Sequence, residues 1–211
     1  MAEATRRRVA AFDFDGTLVP GDSLVPFLWR VAGHRRFVRA ALRHGARVLL
    51  ATGPRIGSRD RAKAAFLRTA LAGLDADSVS TAGRTYAEEL AARVDPAARH
   101  RVEWHRARGD EVVMVSASLH VYLAPFARLV GFDEVIATRL SVGPDGRLTG
   151  GLEGANVRAQ EKVDRLRRWL SSESCELWAY GDSSGDRELL AIADHGFYVP
   201  RRGFSGLGLP A

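Results

Sequence analysis

The chain has 211 residues, 46% of them hydrophobic and 27% charged, and 31 Lys and Arg against 25 Asp and Glu give a formal net charge of +6. That balance excludes a disordered chain and supports one sizeable core plus a smaller module. A single cysteine, Cys175, excludes an internal disulfide or a cysteine-rich metal site, and no apolar run approaches the roughly 18 residues a membrane span needs.

The N-terminal stretch "MAEATRRRVAAF" has basic residues but no apolar signal region, so the expectation is a cytoplasmic protein. Residues 8–15 read as a buried strand that ends in two carboxylates, Asp13 and Asp15, followed by Gly16 and Thr17. Residues 20–95 are rich in Ala, Arg and Leu. They predict helices over 24–32, 35–50, 58–72 and 77–93, punctuated by Gly33, "TGPRIG" (52–57) and "GLDADS" (73–78). Asp95-Pro96 opens a further helix over 96–108 that closes at Gly109. Next come a strand, "DEVVMVSAS" (110–118), and a helix over 120–130. "EVIATRLSVGPDGRLTGGLEG" carries a Pro-Asp-Gly turn between two extended runs and predicts a hairpin. A helix over 160–171, a strand beginning at "CELWAY" and a helix over 185–193 follow. The tail "RRGFSGLGLPA" reads as a loose loop. Strands alternating with helices imply an α/β fold, an open parallel Rossmann-like sheet with helices on both faces. The expected division is a core of 1–19 and 96–211 with 20–95 inserted as a helical cap.

In such sheets ligands bind at the carboxyl ends of the strands, where Asp13, Asp15, Ser116, Asp182 and Asp186 fall. Clustered carboxylates repel unless a cation sits between them, and an oxygen-only set without histidine or cysteine suits Mg²⁺. Mg²⁺ suits phosphate, and Lys162 with the Ser116 hydroxyl would complete an electrostatic cradle for phosphoryl transfer.

"DFDGT" (13–17), Ser116 at a strand end, Lys162 near a helix start and "GDSSGD" (181–186) resemble, in order, the four motifs of the haloacid dehalogenase superfamily. The insert and the stretches "VSASLHVYLAPF" and "NVRAQEKVDRL" are similar to its IB branch, which includes phosphoserine phosphatase-like hydrolases. The resemblance implies that Asp13 is a nucleophile forming an aspartyl-phosphate and that Asp15 is the general acid and then base. It implies a Mg²⁺ site of Asp13, Asp15 through its main-chain carbonyl, Asp182 and Asp186, with Ser116 and Lys162 on the phosphoryl group. Gly16 permits a tight turn and Thr17 is expected to orient a carboxylate. Asp186 could instead only cap its helix. His120, four residues past Ser116, is a candidate to border the pocket.

Phosphoserine phosphatases have a serine, a glutamate and a Gly-Gly pair where this chain has Gly16, Asp22 and Ala117-Ser118, the residues expected to face substrate. Asp22 could meet a substrate ammonium, which keeps amino-alcohol phosphates open. Residues 27–70 hold eleven basic residues against one acid, Asp60, and Arg35, Arg39, Arg43 and Arg47 form a helical stripe opposite Val38, Leu42 and Leu49. That stripe is a solvated face or leans toward a phospholipid head group and peripheral contact with an anionic membrane. Nucleic acid is a weaker partner, since aromatic interleaving is sparse. The expected activity is Mg²⁺-dependent hydrolysis of a phosphomonoester. The alternatives are transfer to an acceptor alcohol and a non-catalytic binding protein.

Overall fold

The structure is a computed structural model; it describes residues 6–50, 58–171, 174–200 and 203–207, leaving aside the side chains of 45–50. The predicted turn at 52–57, Arg55, and the side chains of Arg47 and Leu49 lie outside the described residues.

Among the described residues five strands form one parallel sheet: β1 (Arg7–Phe12), β2 (Glu111–Leu119), β3 (Glu134–Thr138), β6 (Cys175–Gly181) and β7 (His195–Tyr198), in the order β3-β2-β1-β6-β7. The remaining strands, β4 (Leu140–Val142) and β5 (Leu148–Leu152), pair antiparallel around the Pro-Asp-Gly turn. The hairpin reading therefore holds for residues 140–152, whereas Glu134–Thr138, which looked like part of it, joins β2 in the main sheet. Strand β7 went unread because it is an edge strand of four mostly exposed residues with a glycine.

Alternation along the central strands makes two cores. Ala10, Phe12, Met114 and Tyr180 face one side with α4 (Pro96–Ala107) and α5 (His120–Val130). Val9, Ala11, Val113 and Ala179 face the other, under α6 (Gln160–Leu170) and α7 (Arg187–Ile192). Phe12 stacks on Tyr180 at 4.5 Å between ring centroids. The tail is not loose throughout: Phe204, in a short 3-10 helix (Phe204–Leu207), is buried against the Phe12 and Tyr180 rings.

The inserted helices are α1 (Leu24–Leu50), α2 (Ser58–Leu71) and α3 (Ala76–Ala91). Gly33 breaks α1 with φ 71° and ψ 160°, which accounts for two helices being read there. Asp75 caps α3 by accepting from Ser78 N–H, and Asp95 caps α4 from the residue before its N1 proline. The Asp95 N–H donates to the Leu18 carbonyl at 2.9 Å, so the segment between them leaves and re-enters the sheet domain at one place. The insert does not stand apart. Its Phe27, Leu67, Leu71, Tyr86 and Leu90 belong to the same buried cluster as Phe12 and Met114. Gly83 of α3 lies so close to α5 that a Cβ there would meet the Val121 carbonyl oxygen at 2.6 Å.

The second face of α1 differs from expectation. Leu42 is 83% exposed, while Ala40 is buried and Phe37 packs on Phe66. Leu42 lies seven residues from Arg35, hence on nearly the same helical face, beside the arginines rather than opposite them.

Candidate active site

Strand β1 ends one residue before Asp13, whose N–H donates to the Tyr180 carbonyl at 2.9 Å and so continues the pairing with β6. The chain then turns: Gly16 N–H donates to the Val19 carbonyl at 2.8 Å, and Gly16 has φ 75°. A Cβ at Gly16 would sit 2.1 Å from Asp182 Oδ2, so glycine is required both by the backbone and by the neighbouring carboxylate.

Asp13 and Asp15 end in different environments. Lys162, in the first turn of α6, places Nζ 2.6 Å from Asp13 Oδ1 and 2.5 Å from Asp186 Oδ1, with the lysine 2% exposed. The Asp186 carboxylate does not cap α7; its second oxygen accepts from the Ser183 N–H and hydroxyl. Asp15 turns away from that cluster. Its Oδ1 accepts from the Ser23 N–H at 2.9 Å and its Oδ2 from the Ser118 hydroxyl at 2.5 Å.

Burial pushes Asp13 upward, opposed by Lys162 and reinforced by Asp186. Burial also lowers Lys162, but the two carboxylates outweigh it and hold the ammonium charged. Asp15 is pushed up to about 7 by burial, against the lowering bonds from Ser118 and Ser23. Asp182 rises to about 6, through burial first and then the Asp13 and Asp186 charges.

Carboxylate oxygens of Asp13, Asp182 and Asp186 all lie within 4.8 Å of one another. Three carboxylates against one ammonium leave two negative charges, the charge of one divalent cation. Oxygen-only donors of this kind fit Mg²⁺. The Asp15 carboxylate is not in that group.

These residues line a cavity of about 650 Å³ with Thr17, Asp22, Ser116, Ala117, Ser118 and Arg158. Asp22 is exposed at its rim, and its Oδ2 accepts from the Val25 N–H at the start of α1, which engages one oxygen in helix capping. The Thr17 hydroxyl does not orient a carboxylate, for it is buried with no hydrogen-bond partner among the described residues. His120 lies elsewhere, in a separate cavity with Arg84, Arg128 and Arg139, where burial and Arg139 and Arg128 push it down to about 4.

Two groups escaped the sequence reading. Ser23 links Asp15 to Tyr122 and Tyr86: its hydroxyl pairs with Tyr122 at 3.0 Å and its carbonyl accepts from Tyr86 at 3.0 Å. Lys63, from α2 of the insert, reaches the Ala117 carbonyl and Asn156 Oδ1, each at 2.7 Å. Lysine scarcity, which singled out Lys162, also marks Lys63, since the chain has no third lysine.

Comparison with known proteins agrees with this geometry. The chain is 42% identical to Protein CicA of Caulobacter vibrioides over 199 residues, 92% of this chain and 87% of that one. It is 32% identical to a histidinol-phosphatase of Neisseria meningitidis serogroup C over 112 residues, half of each. A substrate-bound phosphoserine phosphatase structure has a similar fold, with TM-score 0.62 and 22% identity over 93% of this chain and 86% of that one. The family model for haloacid dehalogenase-like hydrolases matches residues 10–191. The chain belongs to the haloacid dehalogenase-like hydrolases.

Proposed function

We propose that the chain is a Mg²⁺-dependent phosphatase that hydrolyses a phosphomonoester through an aspartyl-phosphate on Asp13. The observation that carries this reading is the contrast between two carboxylates two residues apart. Asp13 is held by Lys162, while Asp15 is held by Ser118 and Ser23 with its proton affinity raised to about 7. Burial raises both carboxyls, but the Lys162 ammonium opposes it at Asp13 alone, and that difference divides nucleophile from acid. The relative named histidinol-phosphatase supports the same reaction class.

Asp13 Oδ2, the oxygen not bonded to Lys162, attacks phosphorus as the ester P–O bond breaks, and the leaving oxygen takes the Asp15 proton. Water then attacks the aspartyl-phosphate, Asp15 takes its proton, and phosphate leaves with Asp13 restored. Ser116 and Lys162 donate to the phosphoryl oxygens. Asp13, Asp182, Asp186 and the Asp15 carbonyl would hold Mg²⁺, which when bound supplies charge to offset the phosphoryl oxygens.

The substrate is a small amino-alcohol phosphate or a lipid phosphate. One feature favours the lipid: Asp22 at the pocket rim caps the start of α1, which carries exposed Val25 and Trp29, 51% and 47% accessible, one turn apart. Beyond Gly33 follow exposed Arg35, Arg39, Arg43 and Leu42, a mixture suited to an anionic lipid surface.

The test is phosphate release with Mg²⁺ from serine, histidinol, ethanolamine and lipid phosphates, run beside Asp13→Asn and a chelated control. Release that needs Asp13 and the metal supports the reading. A new phosphoester formed with added alcohols would mark a transferase, and no release from folded, metal-loaded protein would leave a non-catalytic binder.

A further inference from the structure

The chain has two lysines among its 31 basic residues, and both ammonium groups are spent on the site region. Lys162 bridges Asp13 and Asp186. Lys63 comes from the inserted helix α2 and holds a backbone carbonyl, that of Ala117, between the two serines that face the pocket.

The segment it holds is irregular. Ser116 pairs with Ala137 and Leu119 with Thr138, so Ala117 and Ser118 have no counterparts on β3 and bulge from the sheet. In a planar trans peptide the C=O and the next N–H point in opposite directions. Fixing the Ala117 carbonyl toward α2 therefore directs the Ser118 N–H to the other side, where it donates to Ser116 Oγ at 3.2 Å. With Oγ accepting that bond, the Ser116 hydroxyl proton is left to be donated into the cavity. The same turn carries the Ser118 hydroxyl that binds Asp15. A cation on the carbonyl polarises the peptide and strengthens its N–H as a donor.

Lys63 is itself held in place. Asn156 Oδ1 accepts from Lys63 and from the Thr138 hydroxyl at 3.1 Å, and Asn156 Nδ2 donates to Asp60 Oδ1 at 2.8 Å, one turn before Lys63 on α2.

We infer that Lys63 is a positioning residue for phosphoryl binding: by holding the Ala117 carbonyl it orients the Ala117–Ser118 peptide, and through it the Ser116 hydroxyl. The inference rests on the phosphatase reading for its ligand but is tested without turnover. Lys63 thus acts on the phosphoryl site through a main-chain carbonyl, with no contact to the reacting atoms.

The experiment is a double-mutant cycle of Lys63→Met and Ser116→Ala, with Lys63→Arg as the conservative variant. Inorganic phosphate binding in the presence of Mg²⁺ is measured by calorimetry, beside kcat and KM on the best ester and the melting temperature. Lys63→Met is expected to weaken phosphate binding roughly tenfold, the size of a lost charged hydrogen bond, and Lys63→Arg to recover part of it. In the Ser116→Ala background the same change is expected to cost less than about threefold, because the group it orients is gone. The inference is overturned if Lys63→Met binds phosphate as wild type does, if its loss recurs in full without Ser116, or if Lys63→Arg is no better than Met. Ester hydrolysis with an additive cycle would remove Lys63 and leave the phosphatase standing. A coupled cycle in a protein that hydrolyses no ester would do the reverse, and wild type that binds no phosphate would remove the Lys63 role while ester hydrolysis still decides the phosphatase reading.

Discussion

Lys162 Nζ lies 2.6 Å from Asp13 Oδ1, and the lysine is also shared with Asp186. Removing one partner of a buried ion pair leaves an uncompensated charge, which costs about 3–5 kcal/mol. Lys162→Met is expected to abolish phosphate release and to lower the melting temperature markedly at pH 8. Without the ammonium the buried Asp13 carboxyl, already raised by burial, would have a folded pKa further above its unfolded one. Stability of this variant is therefore greatest at low pH and lost as pH rises, so its deficit against wild type shrinks at pH 5. Melting curves of both proteins at the two pH values decide it; an equal deficit at each would show that Lys162 does not neutralise these carboxylates.

Asp15 sits outside the ion-pair cluster, so Asp15→Asn separates chemistry from fold. An amide can still accept from the Ser23 N–H and donate to the Ser118 hydroxyl, and the melting temperature is expected to stay within a few degrees of wild type. Loss of a general acid costs on the order of 10²–10⁴-fold, expected here in kcat rather than KM. A variant that retains kcat would remove Asp15 from the proton transfers.

The two-charge excess of Asp13, Asp182 and Asp186 over Lys162 predicts that Mg²⁺ binds the folded chain. A ligand at a hundred times its Kd stabilises by about 2.7 kcal/mol, or roughly 5–10 °C for a domain of this size. Thermal melts with Mg²⁺ and with chelator are expected to differ by that order, and Asp182→Asn to erase the difference. No shift in wild type would count against a metal at these carboxylates.

His105 gives a pH dependence unconnected with the site. Its Nδ1 meets Asp110 at 2.8 Å and its Nε2 the Tyr180 hydroxyl at 2.9 Å, and burial pushes it down to about 4. The folded pKa is below the unfolded one, so the unfolded chain binds the extra proton. Stability is full above about pH 6.5 and is lost as pH falls toward 4, by up to about 3 kcal/mol. His120 is lowered in the same sense. Asp15 and Asp182, raised to about 7 and about 6, act in the opposite sense, so the His105 part is read by difference: urea unfolding at pH 7 and pH 5 is expected to show wild type losing stability relative to His105→Gln at the lower pH, and an equal difference at both would mean that His105 is protonated in the folded chain.

The strand tips were legible in the sequence because apolar runs that stop at Asp13, Ser116 and Asp182 announce both a buried strand and a change of environment. The roles of Gly33 and Pro96 were legible for a similar reason, since backbone restrictions act locally. What failed depended on partners distant in sequence. Glu134–Thr138 looked like one arm of a hairpin because nothing in five residues says whether the neighbour is β2 or β4. Leu42 was assigned to the packed face on hydrophobicity alone, though helical spacing sets it beside Arg35. Ser23 and Lys63 carried no motif; what they contribute is a backbone N–H and a reach to a carbonyl, which depend on tertiary position.

The buried cluster that runs without interruption from Leu67 and Tyr86 of the insert to Phe12 of the sheet has a consequence for cooperativity. Two modules that share one core gain nothing by opening separately, since either would expose apolar surface belonging to both. Amide hydrogens of α3 and of β1 should then exchange by the same global event, as one foldon, even though residues 13–95 intervene between β1 and α4.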